Sequence, residues 1–282
     1  MSEILNKTFV YMGPEGSFSE IAAYEAIDIL QYSDFNLKIL PYITSVIEAV
    51  DKNNNLIGVV PIENSIEGVV RETVDNLIRT TSRVTITKEI IIPVSHCLIS
   101  KRADKSGINK IISHTQAIAQ CKNYLSRGFP EAEIIFSSST SEGVRQLNDL
   151  PDDYAAIGTD KAASIYNLNI IEREINDEKD NLTRFILLGA YVPEPTRRDK
   201  TSIAISLCNK PGSLADMLMY FKEGGLNLSY IESRPSKRVF GEYTFFIDFE
   251  GHIEDENVQK IIGKIAPLIN FYRFLGSYPR AN

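Results

Sequence analysis

At 282 residues the chain is longer than one compact domain usually is, and with 43% hydrophobic and 24% charged residues it has ample apolar material for a packed core. Its net charge of −7, with no local cluster of Lys or Arg, excludes a nucleic-acid binder, which needs cation density to neutralise phosphates. A membrane span takes roughly 20 consecutive apolar residues. The most apolar run here, 90–99, is broken by Pro93, Ser95 and His96.

The N-terminus, with Glu3, Asn6 and Lys7, lacks the pattern of a secretory signal, so a cytoplasmic location is expected. Residues 8–12 are expected as a strand and 18–31 as a helix with Phe18, Ile21, Ala22, Ile29 and Leu30 on its apolar side. A strand at 37–40, a helix at 44–53 capped by Thr44 or Ser45, a strand at 56–61 and a helix at 67–79 follow. The alternation then restarts with strands at 110–112, 133–136 and 155–157 and helices at 116–125, 141–147 and 161–166. Ser139 and Glu142 have the spacing of a capping box. Repeated βα units imply helix-covered parallel sheets. Two such runs, joined by strands near 90–100 and 170–188, imply two lobes with a cleft between them.

Residues 192–199, with two prolines and a charge cluster, have linker composition. Beyond them the pattern becomes strand 201–207, helix 213–222, strands 226–233 and 243–249, helix 255–265 and strand 271–275, a ferredoxin-like βαββαβ layout. Cys97, Cys121 and Cys208 are an odd number without metal spacing and are expected as buried free thiols. His96, His114 and His252 are scattered, so no zinc site is expected.

Polar groups gather where strands end and helices begin. The turn 13–19 (GPEGSFS) suits either an anion at a helix N-terminus or a plain cap by Ser17 or Ser19. Glu63, Asn64 and Ser65 follow a strand end, where ligands bind in open α/β sheets, or they merely cap the next helix. His114 and Gln116 sit at the equivalent junction of the second run, Ser138–Ser141 repeat the theme, and residues 181–185 (NLTRF) open a strand. Together these ends imply a cleft for a small molecule without naming it.

The ordered set of motifs does name it. GPEGSFS at 13–19, GVVPIENSIEG at 58–68, HTQAIAQC at 114–121, SSTSEG at 138–143, AAIGTDKAASIYNL at 155–168 and NLTRF at 181–185 resemble the prephenate dehydratase family across nearly the whole chain. PGSLADML at 211–218 and ESRP at 232–235 resemble an ACT regulatory domain. Three positions depart from the family pattern: Thr115 stands for its Pro, Ser141 for its Ala, and Ser17 for its Thr, the last keeping the hydroxyl.

The resemblance implies an α/β fold: a two-lobed catalytic portion like a type II periplasmic binding protein, plus a ferredoxin-like ACT domain. The expected boundaries are 1–191 for the catalytic portion, with subdomains at roughly 1–97 plus 176–191 and at 98–175, and 200–282 for the ACT domain. The implied reaction converts prephenate to phenylpyruvate with loss of water and carbon dioxide. No cofactor is expected, because the ring becomes aromatic as both groups leave. Thr183 is placed at the leaving hydroxyl and Arg184 at a carboxylate, with Ser17, Asn64, Ser65, Gln116, Ser139 and Thr140 binding substrate. Glu63 and His114 are the strong acid–base candidates in the motifs. Gly212, Ser213, Leu214, Ala215, Glu232, Ser233, Arg234 and Pro235 are expected to bind phenylalanine as an allosteric effector where two ACT domains pair, in a homodimer or homotetramer. A fused chorismate mutase is not expected, since the first motif begins at Gly13. Two rivals stand beside this reading: the same scaffold acting on arogenate, and a bilobal amino-acid sensor without catalysis.

Overall fold

The computed structural model describes residues 7–79, 83–236 and 242–281. The N-terminal stretch holding Glu3 and Asn6, and Asn282 at the end of the expected ACT domain, lie outside the described residues. The first sheet is built from β1 (Lys7–Met12), β2 (Phe35–Leu40), β3 (Leu56–Asn64), the two-residue β4 (Gly68–Val69) and β5 (Thr85–Pro93). It is interleaved with α1 (Phe18–Ile29), α2 (Ile43–Lys52) and α3 (Arg71–Arg79). The chain then crosses to a second sheet of β6 (Cys97–Ser100), β7 (Lys110–Ser113), β8 (Glu133–Phe136), β9 (Tyr154–Gly158) and β10 (Asn169–Glu172). Its helices are α4 (Thr115–Gln120), α5 (Lys122–Gly128), α6 (Thr140–Gln146) and α7 (Asp160–Ile165). Finally β11 (Leu182–Gly189) returns to the first sheet, which runs β2-β1-β3-β11-β5, with β4 paired to β3.

β11 lies between β3 and β5, antiparallel to both. A strand covered on both faces should read as a continuous apolar run, and Phe185, Ile186, Leu187 and Leu188 are all buried. Each contributes about 1.5–3 kcal/mol of transfer free energy relative to exposure. The alternation of side chains divides them between two cores. Phe185 and Leu187 pack with Ala22, Ala26 and Phe9 under α1. Ile186 and Leu188 pack with Val46, Val50 and Leu77 under α2 and α3, and with Ala204, Phe246, Leu275 and Tyr278 from the C-terminal part of the chain.

That C-terminal part is a third sheet of order β13-β14-β12-β15, with β12 (Asp199–Leu207), α8 (Ser213–Glu223), β13 (Leu228–Pro235), β14 (Tyr243–Glu250), α9 (Glu256–Ile265) and β15 (Ile269–Pro279). The order and antiparallel pairing are those of a ferredoxin-like layout. Met217, Phe221, Val258 and Ile261 of the two helices cover one face of this sheet. The other face rests on the first sheet.

Several elements differ from the sequence expectation for identifiable reasons. The helix expected at 116–125 is broken at Cys121, because the Asp177 carboxylate accepts the N–H groups of Asn123 (2.9 Å) and Tyr124 (3.2 Å) and starts a new helix there. α2 begins at Ile43 with no side-chain cap, and the Thr44 N–H is taken instead by Glu72 of α3 at 3.2 Å. Residues 67–69 form a turn and β4 before α3 begins. The strand expected near 90–100 is interrupted at residues 94–96, where the chain crosses between sheets. The return crossing is tied to it: Val94 N–H donates to Asn181 O (2.8 Å) and His96 N–H to Asn176 Oδ1 (2.6 Å). Glu142 occupies only half of its capping box: its N–H donates to Ser139 Oγ, but its carboxylate turns to Arg145. Cys97 and Cys121 are buried free thiols, whereas Cys208 is partly exposed. Among the described residues, no helix is long and apolar enough to cross a membrane.

The third sheet packs backbone against backbone on the first at Gly276, where φ is +143° and an added Cβ would stand 2.2 Å from the Ile86 carbonyl oxygen of β5. Gly276→Ala is expected to destabilise the chain by at least about 2 kcal/mol, through strain and separation of the two sheets. Denaturant titration of both proteins checks it, and an unchanged midpoint would contradict this close approach.

Candidate active site

A cavity of about 340 Å³ lies in the cleft between the first two sheets, at the lower end of the usual size range for small-ligand sites. Its walls come from the turn after β1, the ends of β3 and β11, the crossing at Val94 and His96, and the starts of α4 and α6. Ser17, Asn64, Gln116, Ser139, Thr140 and Thr183 all line it. Ser17 and Ser139 are N-caps, accepting from Glu20 N–H at 3.3 Å and Glu142 N–H at 3.1 Å. No Lys, Arg, Asp or Glu is among the described residues that line the cavity.

The lobes also touch beside it. Thr159, the N-cap of α7, donates its hydroxyl to Gly16 O at 2.5 Å. Gly16 has φ +78°, and a Cβ there would stand 2.7 Å from Ala162. The second glycine of the turn is therefore dictated both by its backbone conformation and by the approach of the other lobe.

A chain of amides fixes the orientation of the polar groups. Asn64 Oδ1 accepts the backbone N–H groups of Ile66 and Glu67, both at 3.0 Å, so its nitrogen points the other way. Nδ2 donates to Asn181 Oδ1 at 2.7 Å and to Thr183 Oγ1 at 2.8 Å. With its oxygen so occupied, Asn181 donates Nδ2–H to Gln120 Oε1 at 3.0 Å. That oxygen stands 3.2 Å from His96 Nε2, which must then carry the hydrogen. Two backbone amides thus assign the direction of four side chains. Because the Thr183 oxygen accepts from Asn64, its own hydrogen is left for a group in the cavity.

His96 is 3% exposed, and its ring meets Phe18 edge to face at 5.6 Å. Burial disfavours its charged form and lowers its pKa from 6.5 to about 4, a shift that the hydrogen bond His96 donates to Gln120 only partly opposes. The imidazole is therefore neutral at pH 7. His114 also lines the cavity, but its Nδ1 accepts from Gln116 N–H at 3.3 Å, so it acts as a helix cap.

Three residues expected at the substrate are placed elsewhere. Arg184 follows Thr183 on an extended strand and so points to the opposite face. It is buried against the third sheet, with Nη1 2.6 Å from Asp248 Oδ2 and 3.2 Å from Glu89 Oε2. Burial works against its charge, but Asp248 and Glu89 outweigh that and raise its pKa. Arg184 is thus not a ligand for a carboxylate in this cavity. Glu63 is drawn to the same reverse face, 3.2 Å from Arg184 Nε, which removes it as an acid–base candidate. Ser65 is exposed and accepts from Leu182 N–H at 2.9 Å, bracing β11 from outside the cavity.

Sequence reasoning assigned no role to His96, Gln120, Asn181 or Phe185. Gln120 and Asn181 lie inside quoted motifs, and Gln120 is four residues from Gln116, on the same helical face. His96 carried no local signal, because only the crossing of the chain brings it here.

In the third sheet, Gly212 has φ +87° at the start of α8 and Ser213 is buried. Glu232 to Pro235 end the edge strand β13, with Arg234 Nε 2.9 Å from Asp75 of α3. Ser206 pairs with Thr244 and Thr244 with Arg234, so both segments lie at one end of the sheet, with β14 between the strands that lead to them.

Residues 9–192 match the family model described as prephenate dehydratase. The chain is 38% identical over 274 residues to a bifunctional chorismate mutase/prephenate dehydratase of Aquifex aeolicus, covering 96% of this chain and 73% of that protein. It is 38% identical over 279 residues to the prephenate dehydratase of Methanocaldococcus jannaschii, covering 98% and 99%. Among solved structures, the prephenate dehydratase of Arthrobacter aurescens in complex with L-Phe superposes with a TM-score of 0.88 at 33% identity, covering 97% of this chain and 90% of that one.

Two outcomes are expected from this geometry. Asn64→Ala strips partners from two backbone amides and two side chains and should cost about 2–4 kcal/mol of stability, read by denaturant titration. His96 gains its proton at pH 6.5 when unfolded but only near pH 4 when folded, so stability should fall by up to about 3 kcal/mol as pH drops through that window. The thermal midpoint of His96→Gln should therefore depend less on pH between 6.5 and 4 than that of the parent; equal slopes would refute the assignment.

Proposed function

The chain belongs to the prephenate dehydratase family, and from that premise we propose that it converts prephenate to phenylpyruvate, carbon dioxide and water. The observation that carries the reading is the Thr183 hydroxyl, which lines the cavity and whose oxygen accepts from Asn64 Nδ2. As the C–C bond to the ring carboxylate breaks, its electron pair enters the ring and the C–O bond at the opposite carbon breaks. The departing hydroxide takes up one proton to leave as water. Thr183 is too weak an acid to supply that proton outright, so it stabilises the leaving oxygen by hydrogen bonding.

An uncharged cavity suits this chemistry. The carboxylate that leaves as carbon dioxide must lose its charge, and a cation fixed upon it would stabilise the ground state more than the transition state. Neutral donors from Ser17, Gln116, Ser139 and Thr140 orient the substrate instead, with Asn64 holding Thr183. No carboxylate lines the cavity among the described residues, so the ammonium of arogenate would lack a counter-charge. This favours prephenate over its amino analogue.

On this reading residues 1–191 are catalytic and 200–282 form an ACT domain that binds phenylalanine through Gly212–Ala215 and Glu232–Pro235 between paired subunits, a homodimer or homotetramer. The ferredoxin-like third sheet supports this, as does the L-Phe complex of the Arthrobacter aurescens relative. Inhibition requires phenylalanine to bind a less active state more tightly.

Phenylpyruvate formation from prephenate by the purified chain, with and without phenylalanine and against arogenate, tests the proposal. Turnover of prephenate that falls with phenylalanine is expected; none on prephenate would overturn it. Thr183→Ala should lower kcat by roughly 10²–10³, and near-parental turnover would remove Thr183 from the mechanism.

A further inference from the structure

We infer that Arg184 and Asp248 are positioning residues through which the third sheet sets the placement of Thr183, and that phenylalanine acts on turnover by this route. The second clause rests on the effector reading above.

The argument begins with two neighbouring pairs on β3 and β11. Thr183 stands opposite Asn64 and Arg184 opposite Glu63. The first pair faces the cavity and the second faces away from it, so the same two strands present the candidate catalytic hydroxyl on one side and an ion pair on the other. On that reverse side Arg184 is bound to the third sheet more closely than to its own lobe: Asp248 of β14 lies at 2.6 Å, whereas Glu63 and Glu89 lie at 3.2 Å. The other oxygen of Asp248 accepts from Ser202 Oγ of β12, also at 2.6 Å. Lys200 of β12 reaches Glu89 of β5 at 2.7 Å. Two cations and three carboxylates are thus interlocked across the boundary between the sheets, and Asp248 itself is fully buried.

Such a cluster transmits displacement. A buried charge does not leave its partner without an uncompensated charge remaining, so β14 and Arg184 move together. A hydrogen bond to a leaving group depends on placement to within a fraction of an ångström. A shift of Arg184 along β11 is a shift of Thr183, the residue before it.

The expected effector segment reaches the same point. β13 ends in Glu232 to Pro235, and two residues before Glu232 the Tyr230 ring lies over the Arg184 guanidinium at 5.6 Å. Tyr230 also meets Phe246 of β14 edge to face at 5.9 Å. A change in the conformation of β13 therefore reaches Arg184 through one side chain.

Asp248→Asn tests both clauses. The amide keeps the shape and removes the charge, with its oxygen toward Arg184 and its nitrogen donating to Ser202 Oγ, whose hydroxyl can turn its hydrogen to Tyr278. We expect kcat to fall three- to tenfold with KM for prephenate within twofold. Calorimetry should give a phenylalanine affinity within twofold of the parent, while inhibition at saturating phenylalanine drops to half or less. A folded variant with parental kcat and full inhibition overturns the inference. Should that variant not fold, Tyr230→Leu is expected to weaken inhibition without loss of phenylalanine binding and Tyr230→Phe to restore it; full inhibition in Tyr230→Leu overturns the route. If phenylalanine fails to bind the parent chain, the effector clause falls with its premise, and kcat of Asp248→Asn still decides the first.

Discussion

The two-residue period of an extended strand is the constraint on which this molecule turns. β11 is an interior strand of its sheet, between β3 and β5, and each consecutive pair of its side chains is divided between two environments. Thr183, Phe185 and Leu187 face the cleft and the core under α1, while Arg184, Ile186 and Leu188 face the third sheet. One segment therefore supplies the candidate catalytic hydroxyl and joins the C-terminal sheet to the rest. Neither role can be altered without the other feeling it.

Within the cleft, specificity of orientation comes from neutral groups. The amides of Ile66 and Glu67 set Asn64, and Asn64 sets both Thr183 and the series through Asn181 and Gln120 to His96. On the proposed function, fixed dipoles instead of charges keep a negatively charged substrate from being bound too firmly where its charge must vanish. Formal charges are concentrated on the reverse face of the same strands, where they hold structure together.

The alternation of strand and helix was legible because apolar periodicity is local, and so were the polar strand ends that converge on the cavity. That Thr183 lies at the cavity was legible from the motif at 181–185. Arg184 was misassigned by treating two adjacent motif residues as one functional unit, although the strand expected there already implied opposite faces. The break at Cys121 was not legible, since its cause is Asp177, far along the chain. His96 was equally hidden, because burial and the crossing of two segments, and no local pattern, bring it to the cleft.

The charged cluster behind β11 also acts as a check on strand register during folding. A slip by one residue would turn the guanidinium into the uncharged cleft and press a hydroxyl against Glu63, Glu89 and Asp248. Three carboxylates would then share Lys200 alone, and a cation would sit in a cavity without an anion. Such a misaligned sheet would be penalised at both faces at once, so the pairing that delivers Thr183 to the cleft is also the one that brings Arg184 to Asp248, Glu89 and Glu63.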